Sequence, residues 1–146
     1  MTEQMAAELA RVICGDAVPP KPGSRTWGVQ ATCTDGRLVA IEDGAAWAYR
    51  DRQAFEAYQQ NGDDAGLQAS AEWEEWGEGE EWADGLSNVL GSNESWQSGG
   101  GIWLVFYPRP DGRFAVIGSD SAGVYPSRET FEADEFGEKA ENHVFV

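Results

Sequence analysis

The 146-residue chain sets 26 acids against 10 bases, a formal charge of −16, and 41% of it is hydrophobic, including seven Trp, six Phe and four Tyr. So many large apolar side chains exclude a disordered chain despite the charge, and a chain of this length can bury a core as one domain. The acidity excludes direct binding to nucleic acid or to anionic membranes and points to a basic partner.

In chain order, Thr2 to Cys14 places Met5, Leu9, Val12 and Ile13 on one helical face, with Gly15 as the stop. Ala17 to Gly23 carries three prolines and reads as a stiff connector. Trp27, Val29, Ala31 and Cys33 then alternate with Thr26, Gly28, Gln30 and Thr32, the period of a strand with one polar face. Asp35-Gly36 is a favoured hairpin turn from which Arg37 to Ile41 returns. A short extended piece, Trp47 to Arg50, leads to Asp51, the cap of a helix from Arg52 to about Gln60 that Gly62 ends. Cys14 and Cys33 read as thiols and small buried hydrophobes.

Shifting the sequence by 76 positions lays residues 27–57 on 103–133 without a gap. Trp27 falls on Trp103, Asp35-Gly36-Arg37 on Asp111-Gly112-Arg113, Ile41 on Ile117, Tyr49 on Tyr125 and Phe55-Glu56-Ala57 on Phe131-Glu132-Ala133. Twelve identities in these 31 positions argue for an internal duplication, with copies at 26–58 and 102–134. In the second copy Pro108 and Pro110 flank the turn and Ser127 caps the helix. Ile102, Leu104 and Phe106 stand there in place of Thr26, Gly28 and Gln30, so this strand is apolar on both faces and is expected at the centre of the sheet. Asn142 to Val146 adds a terminal strand. The expected fold is α+β in a single domain, 1–146. Two pseudo-equivalent strand–strand–helix repeats share one mainly antiparallel sheet, beside an N-terminal helix and an acidic, Trp-rich insert over 63–98.

Charge is concentrated in that insert. Residues 1–52 hold seven acids and six bases, residues 53–108 eleven acids and no base, and residues 109–146 eight acids and four bases. Adaptation to high salt would spread acids over the whole surface, whereas the first third is nearly balanced. Within the insert, Glu72, Glu74, Glu75, Glu78, Glu80, Glu81 and Asp84 form the expected partner-binding set, and Trp73, Trp76 and Trp82 are expected to anchor them. Glu80 and Glu81 follow Gly79 where a helix start favours negative charge, and Trp82, Leu86, Val89 and Leu90 keep helical spacing up to Gly91. On a continuous helix the thirteen residues 72–84, which hold these seven acids, would rise about 20 Å, roughly one charge per 2.8 Å. That density lies in the range of a nucleic-acid backbone, although Gly77 and Gly79 break such a helix.

Catalytic and metal motifs are missing from the pattern. His143 has no nucleophile pointing to it, no Cys or His pair has zinc spacing, and Gly99-Gly100-Gly101 precedes a strand where a phosphate cradle precedes a helix. Carboxylates such as Glu75 and Glu78 share one exposed environment, whereas acid–base chemistry needs two. No cofactor, no metal and no enzymatic activity are expected. In size, acidity and lack of catalytic motifs the chain resembles the DNA-mimic antirestriction and anti-CRISPR proteins of phages and plasmids. That resemblance implies a non-catalytic inhibitor presenting a DNA-like negative face to a nucleic-acid-binding protein. The alternative is an immunity protein that neutralises a basic toxin such as a nuclease. With no basic-then-apolar leader and no run near 18 apolar residues, a cytoplasmic protein is expected.

Overall fold

The computed structural model describes residues 1–134 and 137–145. The chain runs through α1 (Glu3–Ile13), β1 (Asp16–Val18), β2 (Gly28–Thr32), β3 (Leu38–Ile41), β4 (Ala45–Tyr49), α2 (Arg52–Asn61) and β5 (Leu67–Glu72). The same order of element types follows: α3 (Gly79–Leu90), β6 (Ser95–Gln97), β7 (Trp103–Pro108), β8 (Phe114–Ile117), β9 (Ser121–Tyr125), α4 (Arg128–Ala133) and β10 (Glu141–Val144). The terminal strand is β10, and Val146 lies outside the described residues.

The class is α+β, but the single shared sheet is corrected to two antiparallel five-stranded sheets, ordered β1-β2-β3-β4-β5 and β10-β9-β8-β7-β6. The reason lies in strands with weak sequence patterns. β1 occupies the start of the proline connector, and β5 and β6 fall within 63–98, so each half holds enough strands to complete a sheet of its own. The central strand of the second sheet is β8, with β7 beside it between β6 and β8. Pairing registers recur 76 residues apart: Val29 lies opposite Ile41 and Val105 opposite Ile117, Leu38 opposite Tyr49 and Phe114 opposite Tyr125. Both β2–β3 and β7–β8 turns are closed by an aspartate, Asp35 accepting from the Arg37 N–H at 3.2 Å and Asp111 from the Arg113 N–H at 3.1 Å.

The two sheets face each other across α1 and α3. Helix α1 packs on β1 and β2 and also on β9 and β10, while α3 packs on β4 and β5 and also on β6 and β7. One core joins Leu9, Val12 and Ile13 of α1 and Trp82, Leu86 and Val89 of α3 to the inner sheet positions Val29, Val39, Ile41, Val105, Ile117 and Val124. Each such side chain contributes roughly 1.5–3 kcal/mol on burial. The outer faces carry smaller clusters: Ala54 and Phe55 of α2 on Leu38 and Tyr49, and Phe131 of α4 on Phe106, Phe114 and Tyr125.

Local signals account for the helix ends. Thr2, Asp51 and Ser127 cap α1, α2 and α4 by accepting from the N–H groups of Met5, Ala54 and Thr130. At the end of α1 the left-handed residue is Cys14, with φ 62°, and it is exposed. Gly15 is needed for a different reason, since a Cβ there would stand 2.2 Å from the Gln30 carbonyl oxygen of β2. Cys33, at the end of β2, is buried, its Sγ 3.8 Å from the Tyr107 hydroxyl of β7. Among the described residues no helix is long and apolar enough to cross a membrane.

Candidate functional site

Three indoles fix the acidic segment to the body. Trp73, Trp76 and Trp82 are buried and stack edge to face, with centroids 6.0 Å apart for the first pair and 5.2 Å for the second. Trp73 follows β5, and its backbone N–H donates to the Gly44 carbonyl at 3.0 Å while its indole N–H donates to the Asp43 carbonyl at 2.6 Å. The bend between β5 and α3 is thereby pinned to the β3–β4 turn. On its other side Gly77, at φ +81°, leaves no room for a side chain: a Cβ would meet the Ser119 Cβ of the β8–β9 turn at 2.2 Å. Gly85 similarly lets α3 close on Ala71 of β5.

All seven expected residues are exposed, and none of them forms an ion pair among the described residues. They occupy three stations and not one helix. Glu72 ends β5 opposite Ala45; Glu74, Glu75 and Glu78 lie in or close the bend; Glu80, Glu81 and Asp84 ride on the start of α3. Glu80 and Glu81 fall in the first helical turn, where the helix dipole favours negative charge. Asp84 is turned toward the second sheet and accepts from the Ser95 hydroxyl at 3.3 Å. Glu75 and Glu78 come together: the Glu78 carboxylate raises the Glu75 pKa above its ordinary value of 4.5 by repulsion and by a shared hydrogen bond, with smaller contributions from burial and from Asp43.

Asp43, and Glu42 beside it, are members of this acidic surface that sequence reasoning missed. They lie in the β3–β4 turn, distant in sequence from 72–84, and the β4–β5 pairing brings the two together. The signal was faint: Glu42-Asp43-Gly44 between two apolar runs marks a turn, but its partner strand β5 alternates small and polar residues. Among the described residues Asp43 has one ion-pair partner, the Met1 amino group at 3.9 Å.

The β3–β4 turn also bounds a groove of about 410 Å³ on the outer face of the first sheet. Its lining includes Gln30, Ala40, Trp47 and Tyr58, with Glu42 and Asp43. The chain matches no protein-family model, no curated protein and no solved structure. His143 is held by α1, its Nδ1 2.9 Å from a carboxylate oxygen of Glu8 and its ring buried. Among the described residues no group of three or more His, Cys, Asp or Glu is arranged to hold a metal ion. The acidic surface is an array of exposed carboxylates fixed by the buried indoles, and its seven expected members form no ion pair among the described residues.

Proposed function

We propose that this protein is a non-catalytic inhibitor that binds a basic, nucleic-acid-binding protein through the acidic ridge formed by Glu72, Glu74, Glu75, Glu78, Glu80, Glu81 and Asp84, in the manner of antirestriction and anti-CRISPR DNA mimics. The observation that carries the reading is the exposure of all seven carboxylates, without an ion-pair partner among the described residues, on a segment held by three buried indoles. A loop that served solubility would not need such anchoring. Charge held rigidly in place costs little ordering on binding and steers a basic surface during encounter. The protein acts in the cytoplasm, where such partners work.

The immunity-protein reading is favoured by one further observation, the groove that opens beside the ridge. The acids follow a strand end, a bend and a helix turn, so their spacing is not that of a regular backbone, and a groove adds shape to charge. A dedicated toxin would use both. The duplication belongs to the same proposal: residues 26–58 and 102–134 are copies of one strand–strand–helix unit related by a pseudo-twofold, a reading supported by the repeated element order and the common registers.

The test is a five-site variant, Glu74, Glu75, Glu78, Glu80 and Glu81 each to Gln, assayed against a panel of restriction nucleases, CRISPR effectors and nuclease toxins across a salt series. The wild-type protein should displace DNA from its target, weaken as salt rises, and lose at least tenfold in inhibition on substitution. Circular dichroism should be unchanged. Undiminished inhibition by the folded variant would reject the ridge as the binding face.

A further inference from the structure

The outer faces of the two sheets differ at corresponding register positions. In the second sheet Leu104, Phe106 and Val116 cover the face together with Phe131 of α4. In the first, the matching positions hold Gly28, Gln30 and Ala40, and the space they leave is the groove of about 410 Å³. That volume lies within the roughly 300–1,000 Å³ of ligand-binding clefts. Trp47 stands where the second sheet has Gly123; it lies opposite Ala40, which lies opposite Gln30, so the three form one row across the face. Trp47 is partly exposed and Tyr58, from α2, is 42% exposed. An aromatic surface is thus left open in one half at the place where the other half is filled.

The charges on this groove narrow its occupant. Glu42 and Asp43 are both exposed on its border, and Asp43 faces Glu75 of the ridge; the cations are Lys21 among the lining residues and the Met1 amino group, 3.9 Å from one Asp43 oxygen, which leaves that carboxylate more than half exposed. An anionic ligand would meet this field unfavourably. A purely apolar segment would strip water from the carboxylates without replacing it. A guanidinium satisfies both features, because it stacks on an indole face and forks onto carboxylates while being more weakly hydrated than an ammonium. We infer that the groove receives an arginine-bearing loop of the basic partner, its guanidinium stacked on Trp47 and its charge met by Glu42 and Asp43. This deepens the inhibitor reading and rests on it for the partner's basic character.

The experiment titrates ¹⁵N-labelled protein with a blocked Gly-Arg-Gly peptide and with its citrulline counterpart, which keeps the shape and loses the charge. The arginine peptide should shift the Trp47 indole and the Gln30 and Ala40 amide signals saturably, and the citrulline peptide should bind at least tenfold more weakly. The double variant Gln30→Phe/Ala40→Val, which copies Phe106 and Val116, should abolish the shifts while retaining the wild-type circular dichroism. Should it fold poorly, Glu42→Gln/Asp43→Asn, at exposed positions, should weaken the arginine peptide at least fivefold. Equal affinity for both peptides, shifts confined to 72–84, or binding retained by the filled and folded variant would each overturn the inference. These peptide results are separate from the inhibition assay on the five-Gln variant, so the groove can fail while the ridge stands, and the reverse.

Discussion

Trp73 and Trp82 hold the acidic ridge in place by different means, and substitution should separate them. Trp73 makes a directional contact, so Trp73→Phe should cost about 1 kcal/mol, the worth of the lost hydrogen bond to Asp43. Trp82 is fully buried and its N–H has no acceptor among the described residues, so Trp82→Ala should cost about 3–5 kcal/mol, and Trp82→Phe distinctly less because it also removes an unpaired polar group. Urea denaturation of the three variants checks both statements. Glu75 gives a test that depends on charge alone. Its folded pKa is raised by Glu78, so Glu75 takes up a proton more readily in the native than in the unfolded state. The associated stability is fully present below the unfolded value near 4.5 and is lost as pH rises through the folded value. Glu75→Gln should therefore melt higher than the wild type at neutral pH, with the difference disappearing as pH falls below 4.5. A wild type that melts higher at neutral pH would show that Glu75 is not held against Glu78.

At the level of elements, Arg37 ties the first half to the second. Its guanidinium pairs with Asp35 at 2.8 Å and donates to the Val89 and Leu90 carbonyls at 3.4 Å, placing a cation on the C-terminus of α3. Arg37→Ala should cost about 1–2 kcal/mol and speed hydrogen exchange over the last turn of α3. Among the described residues its counterpart Arg113 pairs with the exposed Glu141 at 3.4 Å, so Arg113→Ala should cost less than about 0.5 kcal/mol. The contrast explains what could be read from the sequence. α1, α2, the β2–β3 hairpin and its counterpart were legible because caps, Asp-Gly turns and periodicity are local. β1, β5 and β6 were not, because three-residue strands and an alternation of Ala and Ser carry little pattern until a neighbour pairs with them. With β5 unseen, its contact with the β3–β4 turn was also unseen, and Asp43 stayed outside the acidic set. The exposure of the seven acids was legible from composition, and the helix start at Glu80 and Glu81 from Gly79 and the spacing up to Gly91; the place of Glu72 at the end of a strand was not.

For the whole molecule, the decisive feature is that neither half covers its own sheet. Helix α1 lies over β1 and β2, leaving the inner face of β4 and β5 to α3, while α3 lies over β6 and β7, leaving β9 and β10 to α1. Further ties cross in the same sense: His143 of β10 to Glu8 of α1 at 2.9 Å, and Tyr107 of β7 to Cys33 beyond β2 at 3.8 Å. A chain cut between residues 76 and 77 would give two pieces of a size at which a single core rarely supplies more than about 3–5 kcal/mol. Each piece would also bare half of a sheet's apolar inner face. Residues 1–76 and 77–146, made separately, should therefore lack a cooperative thermal transition, and mixing them should restore one together with the near-ultraviolet signal of the buried indoles. Because Trp73 and Trp76 lie on one piece and Trp82 on the other, the acidic ridge itself should assemble only in the mixture. Cooperative unfolding by either piece alone would mean that the helices between the sheets are accessory to folding, and the ridge would then be a feature of one half and not of their union.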